Sequence, residues 1–219
     1  MLASMPAVRR PPAWVLAVAL LAIPFVVLAA RAAIGVDQSP GGDVSLIELR
    51  TSDVFTAHNP TLGSYGRYGF NHPGPLWFYV LALPYRLTGQ LQHGVLLVGA
   101  LSIVAILWVA ARHGVLGWVA ALLAVFVWAA GPAFLADPWE PHGLLLPGAA
   151  LLLLTFDTAA GRTWSLPLVV GIASLLGAAQ ATLLPLAVAM VVIAVYSARK
   201  NRAALMVAGA LGLVLWAPT

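Results

Sequence analysis

The chain alternates long apolar runs with short polar stretches. Apolar segments fall at about 13–34, 75–87, 94–111, 115–135, 143–156, 165–198 and 203–217. Within them apolar residues follow one another without the 3.6-residue alternation that separates a wet face from a dry one, so the predicted helices are apolar all round and need lipid or other helices about them. As one helix, segment 165–198 would be about 50 Å long, against a hydrocarbon core of about 30 Å. It is predicted to be two spans that meet at Gln180, Thr182 and Pro185. Segment 75–87 has the opposite problem: about 13 residues suit a re-entrant or interfacial piece better than a crossing.

Composition sharpens this picture. Of 219 residues, 62% are hydrophobic and 8% charged, against roughly a quarter charged in soluble domains. The expected fold class is therefore all-α, a polytopic membrane helical bundle whose partner is the lipid bilayer. The absence of cysteine removes disulfides, thiolate nucleophiles and cysteine-ligated metals. A formal charge of +4 would suit nucleic acid, but the basic residues are scattered at helix ends and form no basic stripe interleaved with aromatics. A nucleic-acid partner is excluded on that ground.

The charges also predict a topology. Arg9 and Arg10 precede an apolar run from Trp14 to Ala30, read as an uncleaved first span because it is long for a signal peptide. They place the N-terminus in the cytoplasm, and Arg199, Lys200 and Arg202 place their own loop there too. If every apolar segment crossed, that loop would fall outside, so one segment must not cross, and 75–87 is the weakest. Loops at Arg112 and Arg162 then become cytoplasmic, while 35–74 and 136–142 become extracytoplasmic. The outer loops hold Asp37, Asp43, Glu48, Asp53, Asp137 and Glu140, six of the seven acids, the seventh being Asp157. A positive-inside bias alone would also leave acids outside. The expected location is the plasma (inner) membrane, multi-pass. The run of apolar residues up to Trp216 suggests that residues 1–219 are a single transmembrane domain forming the N-terminal portion of a longer protein: 13–34 the first span, 35–74 the outer loop, 75–217 the remaining helices.

The outer loops carry the candidate chemistry. From Asp43 to Val54 the pattern predicts a short amphipathic helix on the membrane surface, with Asp43 as N-cap behind Gly41 and Gly42. Thr61 to Pro75 packs glycines with aromatics, one Arg and one His. Such a stretch approaches a sugar or phosphate closely, stacks on it through Tyr65 or Tyr68 and neutralises it with Arg67, or else it is an interfacial aromatic belt with turn glycines. His72, held extended by Pro73, lies at headgroup depth and is either a phosphate contact or a packing residue. In Asp137-Pro-Trp-Glu-Pro-His142, the acids Asp137 and Glu140 with His142 either cap the next helix or bind a divalent cation. Gln180 is a minor candidate, a polar residue closing a helical hairpin.

Three of these features together resemble the N-terminal part of the GT-C class of membrane glycosyltransferases, which includes protein mannosyltransferases, aminoarabinose transferases and actinobacterial cell-wall arabinosyl and mannosyl transferases. They are an acid on a long loop directly after the first span (Asp43, then Glu48), a His-Pro motif before a short aromatic segment (His72-Pro-Gly-Pro-Leu-Trp-Phe-Tyr79), and a second acidic loop opening a helix (Asp137 to His142). The acids often adjacent in the first loop of this class are here five apart. The resemblance implies a sugar donor on polyprenyl phosphate and an acceptor hydroxyl on the extracytoplasmic side. It makes Asp43 and Asp137 catalytic, Asp43 as base, and assigns substrate binding to Glu48, Arg67, Tyr68, His72, Glu140 and His142, with Arg67 and His72 on the phosphate. The rival readings are a lipid-linked sugar transporter, disfavoured because the predicted spans hold no ionisable residue in their interiors, and a noncatalytic membrane protein or inactive fragment.

Overall fold

The computed structural model describes residues 13–33, 41–66 and 69–217, so Arg9, Arg10 and Asp37, on which part of the predicted topology rests, lie outside the described residues. Ten helices are present among those described: α1 (Ala13–Ala33), α2 (Asp43–Asp53), α3 (Leu76–Thr88), α4 (Leu91–Arg112), α5 (Leu116–Leu135), α6 (Glu140–Gly143), α7 (Leu145–Ala159), α8 (Leu166–Ala179), α9 (Leu184–Ala198) and α10 (Arg202–Trp216). Single 3₁₀ turns at Thr163–Ser165 and Ala181–Leu183 lead into α8 and α9. Among the described residues the nearest approach to a strand is one isolated antiparallel bridge between Tyr65 and Asn71.

Among the described residues, four helical stretches are long and apolar enough to cross a membrane: Leu91–Arg112, Leu116–Leu135, Glu140–Ala159 and Ala181–Ala198. Val18–Val27, Thr163–Ala179 and Arg202–Trp216 are shorter apolar helices. Large apolar side chains such as Trp118, Leu122 and Leu213 stand largely exposed on this bundle, which in water would be a sticky surface and in a bilayer is the lipid-facing one.

The core has two lobes. In one, Trp77, Phe78 and Leu81 of α3 meet Leu151 and Leu154 of α7 and Val169 and Leu176 of α8. In the other, Leu21 of α1, Ile103 of α4 and Ala120, Ala124 and Val127 of α5 come together. Small residues set how closely the helices approach, as is usual between membrane helices. A Cβ on Gly94 would lie 2.6 Å from the Leu81 side chain.

The predicted break in 165–198 is present: α8 stops at Ala179, Gln180 is extended, and a 3₁₀ turn starts α9. The short helix α3 begins where Gly74 donates to the Ala178 carbonyl (3.0 Å), at the end of α8. Its other end turns at Gly89 into α4, which then runs 22 residues to Arg112 at the opposite end of the bundle. Both ends of α3 therefore lie at one end of the bundle, and its 13 residues span only about 20 Å. One local expectation is corrected. Gly42, not Asp43, occupies the N-cap of α2, because that position has a φ of 58° and favours a residue without a Cβ. Asp43 is instead the first helical residue, beside the unsatisfied N–H groups of the first turn.

The link from α5 to α6 is redirected by a break. Gly131 (φ 76°, ψ 169°) followed by Pro132 interrupts α5, so its last turn points away from the axis of the preceding helix. That turn delivers Asp137.

Candidate functional site

Two polar segments far apart in sequence form one cluster at the α3 end of the bundle. The first is a hairpin from Gly63 to Gly74. Gly63 donates to the His72 carbonyl (3.0 Å), His72 to the Ser64 carbonyl (2.9 Å) and Gly66 to the Phe70 carbonyl (2.8 Å). Its base is seated on the α8–α9 turn through Gly74 to Ala178 (3.0 Å) and through the Ala181 amide, which donates to His72 Nδ1 (3.2 Å). Gly63 is required there, since a Cβ would lie 2.8 Å from both the Gly74 carbonyl oxygen and His72 Cβ.

The second segment is the α5–α6 loop. Asp137 Oδ1 accepts the Trp139 amide (3.0 Å), and Oδ2 lies 2.7 Å from His142 Nδ1. The His142 ring leans on Phe134 at 4.4 Å between centroids and meets Trp139 edge-on. A carboxylate is acceptor-only, so Nδ1 is the donor in this pair. Trp77 pins the loop from α3: its indole donates to the Pro138 carbonyl (2.9 Å), and its ring fills the space that a Gly143 Cβ would occupy at 2.6 Å.

The segments join at Glu140. This side chain opens α6, is 4% exposed, and accepts a hydrogen bond from the Ser64 hydroxyl of the hairpin. The carboxylates of Asp43 and Asp137 both lie within electrostatic range of it. Three acids from three elements thus share one neighbourhood, and Asp43 is the exposed member.

Other predicted residues take different places. The Glu48 carboxylate accepts the Tyr85 hydroxyl (3.0 Å) on the α2–α3 contact, and burial, then the Glu48 charge, pushes the Tyr85 phenol above its ordinary range. Its partner is thus a phenol, not a member of the acid cluster. The Ala181 amide bond requires an unprotonated Nδ1 on His72, which leaves Nε2–H as a donor. Burial holds that imidazole below its ordinary pKa. Arg67 and Tyr68 lie outside the described residues. Among the described residues no three His, Asp or Glu side chains converge as a ligand set.

Ser64 and Trp77 are the contributors that motif reasoning passed over. Ser64 had a signal, a small hydroxyl between glycines and a tyrosine, but nothing local told that its partner lies 76 residues away.

The opposite end of the bundle holds a different cluster. Asp157, fully buried near the end of α7, lies 3.1 Å from Arg112, 3.2 Å from Arg162 and 2.9 Å from His113, and accepts the Ser165 hydroxyl. Glu140 and Asp157 stand at the two ends of the stretch Glu140–Ala159, outside the apolar segment 143–156 read from sequence. Both stand at the ends because only there can partners from neighbouring links reach them.

No family model, curated protein or solved structure matches the chain.

Proposed function

We propose that the acidic end is the transfer site of a membrane glycosyltransferase that moves a sugar from a polyprenyl-phosphate donor to an acceptor hydroxyl on the extracytoplasmic side. The observation that carries this reading is the convergence of the Gly63–Gly74 hairpin with the Asp137–His142 loop through Ser64 and Glu140. An acid cluster fed by two loops at the rim of an apolar bundle is where a lipid-anchored phosphate and a water-soluble acceptor can meet.

The proposed step is a single displacement. The acceptor oxygen attacks the anomeric carbon, the carbon–oxygen bond to phosphate breaks, and the phosphate departs with the electron pair, inverting that carbon. The acceptor proton passes to Asp43, the exposed carboxylate. Asp137 and His142, paired at 2.7 Å, hold a second proton-accepting nitrogen in a fixed orientation. The Nε2–H of His72 donates to the departing phosphate, with Arg67 supplying positive charge. Glu140, buried and tied to Ser64, positions the two segments.

The test is transfer from a radiolabelled polyprenyl-phosphate sugar in vesicles containing the chain, with product analysis for a new glycosidic bond. The expected result is transfer by the wild type and a fall of about 100-fold or more in Asp43→Asn, with unchanged thermal unfolding. Full transfer in Asp43→Asn removes that residue from the chemistry. Label that crosses the bilayer without bond formation overturns the transferase reading in favour of a transporter.

A further inference from the structure

The basic end of the bundle is independent of the proposed transfer site. Among the described residues, Arg112, Arg162, Arg199, Lys200 and Arg202 lie at this end, the first two paired with Asp157. Two of them are fixed. Arg112 and Arg162 are both held by the Asp157 carboxylate, and Arg162 also donates to the Arg112 carbonyl (2.7 Å). Their side chains remain 27% and 34% exposed, and a guanidinium has five N–H donors, so each keeps donors facing outward. The other three are brought alongside by the α9–α10 link, where Asn201 donates to the Thr163 hydroxyl (2.8 Å) and caps α10 by accepting the Ala204 amide (3.1 Å).

Aromatic rings stand at the same level. Arg112 lies over Trp108 and Arg199 over Tyr196, each 4.2 Å from the ring centroid, and Trp164 is 60% exposed. Cations on aromatic faces at the ends of apolar helices lie at headgroup depth. Setting topology requires only that positive charge be present. Fixing two guanidinium groups on a buried carboxylate requires more, because an acid must be desolvated to do it, and the result is a preset pair of phosphate-binding forks.

We infer that this end binds the headgroups of anionic phospholipids, with Arg112 and Arg162 as the fixed part of the site and Arg199, Lys200 and Arg202 as its outer part. The phosphate diester meets the guanidinium groups, and the acyl chains lie against the apolar helices.

The experiment uses the full chain purified in a neutral detergent and titrated with phosphatidylglycerol or phosphatidylcholine, bound lipid being counted by native mass spectrometry. The wild type is expected to retain phosphatidylglycerol in preference, less so as salt rises. R199Q/K200Q/R202Q is expected to lose that preference by about tenfold or more, since each basic residue near an anionic surface adds a several-fold gain, while its thermal unfolding in phosphatidylcholine is unchanged. Equal retention of the two lipids by the wild type overturns the inference, and so does a preference that survives the triple substitution in a folded protein.

Discussion

The two ends of the bundle treat a buried carboxylate in opposite ways. At one, Asp157 is surrounded by two guanidinium groups, an imidazole and a hydroxyl. At the other, Glu140 is almost as buried but has one hydroxyl partner and two further carboxylates, Asp43 and Asp137, in its neighbourhood. The first arrangement surrounds the acid with donors and ties α4, α7 and the turn before α8 together. The second gathers like charges around the carboxylate that joins the two loops, which works against the tie Ser64 makes to it and marks the cluster as a candidate functional site. Only the second end also has a long preceding segment folded into a hairpin against it.

The comparison breaks most visibly at Asp157. Asp157→Ala leaves Arg112 and Arg162 without their shared anion. Both are about a third exposed, so the expected loss is about 2–3 kcal/mol, less than for a fully buried pair. Thermal unfolding in detergent reads it, and a variant as stable as the wild type would show that the cluster is not structural. A next, comparable effect is expected at the contact that positions the acidic loop. Gly143→Ala puts a methyl carbon 2.6 Å from the Trp77 ring and should cost about 1–3 kcal/mol by overpacking. A crystal or cryo-EM structure would show Trp77 displaced and its bond to Pro138 lost, and an unmoved Trp77 would contradict this.

A smaller effect is expected at the join. Ser64→Ala removes the Glu140 donor and should lower stability by about 1–2 kcal/mol. Proteolysis would then cut the Gly63–Gly74 hairpin faster than in the wild type, and equal protection would mean that the hairpin is held by its α8–α9 seat alone. The smallest concerns pH. The imidazole of His72 is held below its ordinary pKa of 6.5 by burial, so the unfolded chain binds this proton first. The contribution of His72 is fully present above about pH 6.5 and is lost as pH falls through the lower folded value. His72→Gln should flatten that part of the stability profile, and an unchanged acid limb would assign it to another group.

Much of the fold could be read from the chain because helix length and apolar runs are local properties. The break near Gln180 follows from a run too long for the bilayer, and the special status of α3 from a run too short. Asp43 and Glu48 could be placed on one helix by pattern, but five positions separate them by about 140° around the axis, which is why Glu48 reaches Tyr85 of α3 instead of the acid cluster. Partners across elements were not legible. Nothing local marks Asp157 as the centre of a cluster; α4, α7 and the turn before α8 bring Arg112, Arg162 and Ser165 onto it. The Asp137–His142 pair is a middle case: five residues apart, it is local enough to suspect, yet its geometry depends on the left-handed turn at Gly131 and the proline after it.

The seat of the hairpin also sets an order of events. His72 and Gly74 dock on Ala181 and Ala178, about a hundred residues further along the chain. A ribosome delivers the hairpin early and its seat late, so the loop stays undocked while α3 to α8 are made. Whatever the acidic end does, a half-made chain cannot do it, and the enclosing of Glu140 by Ser64 becomes a late step of assembly.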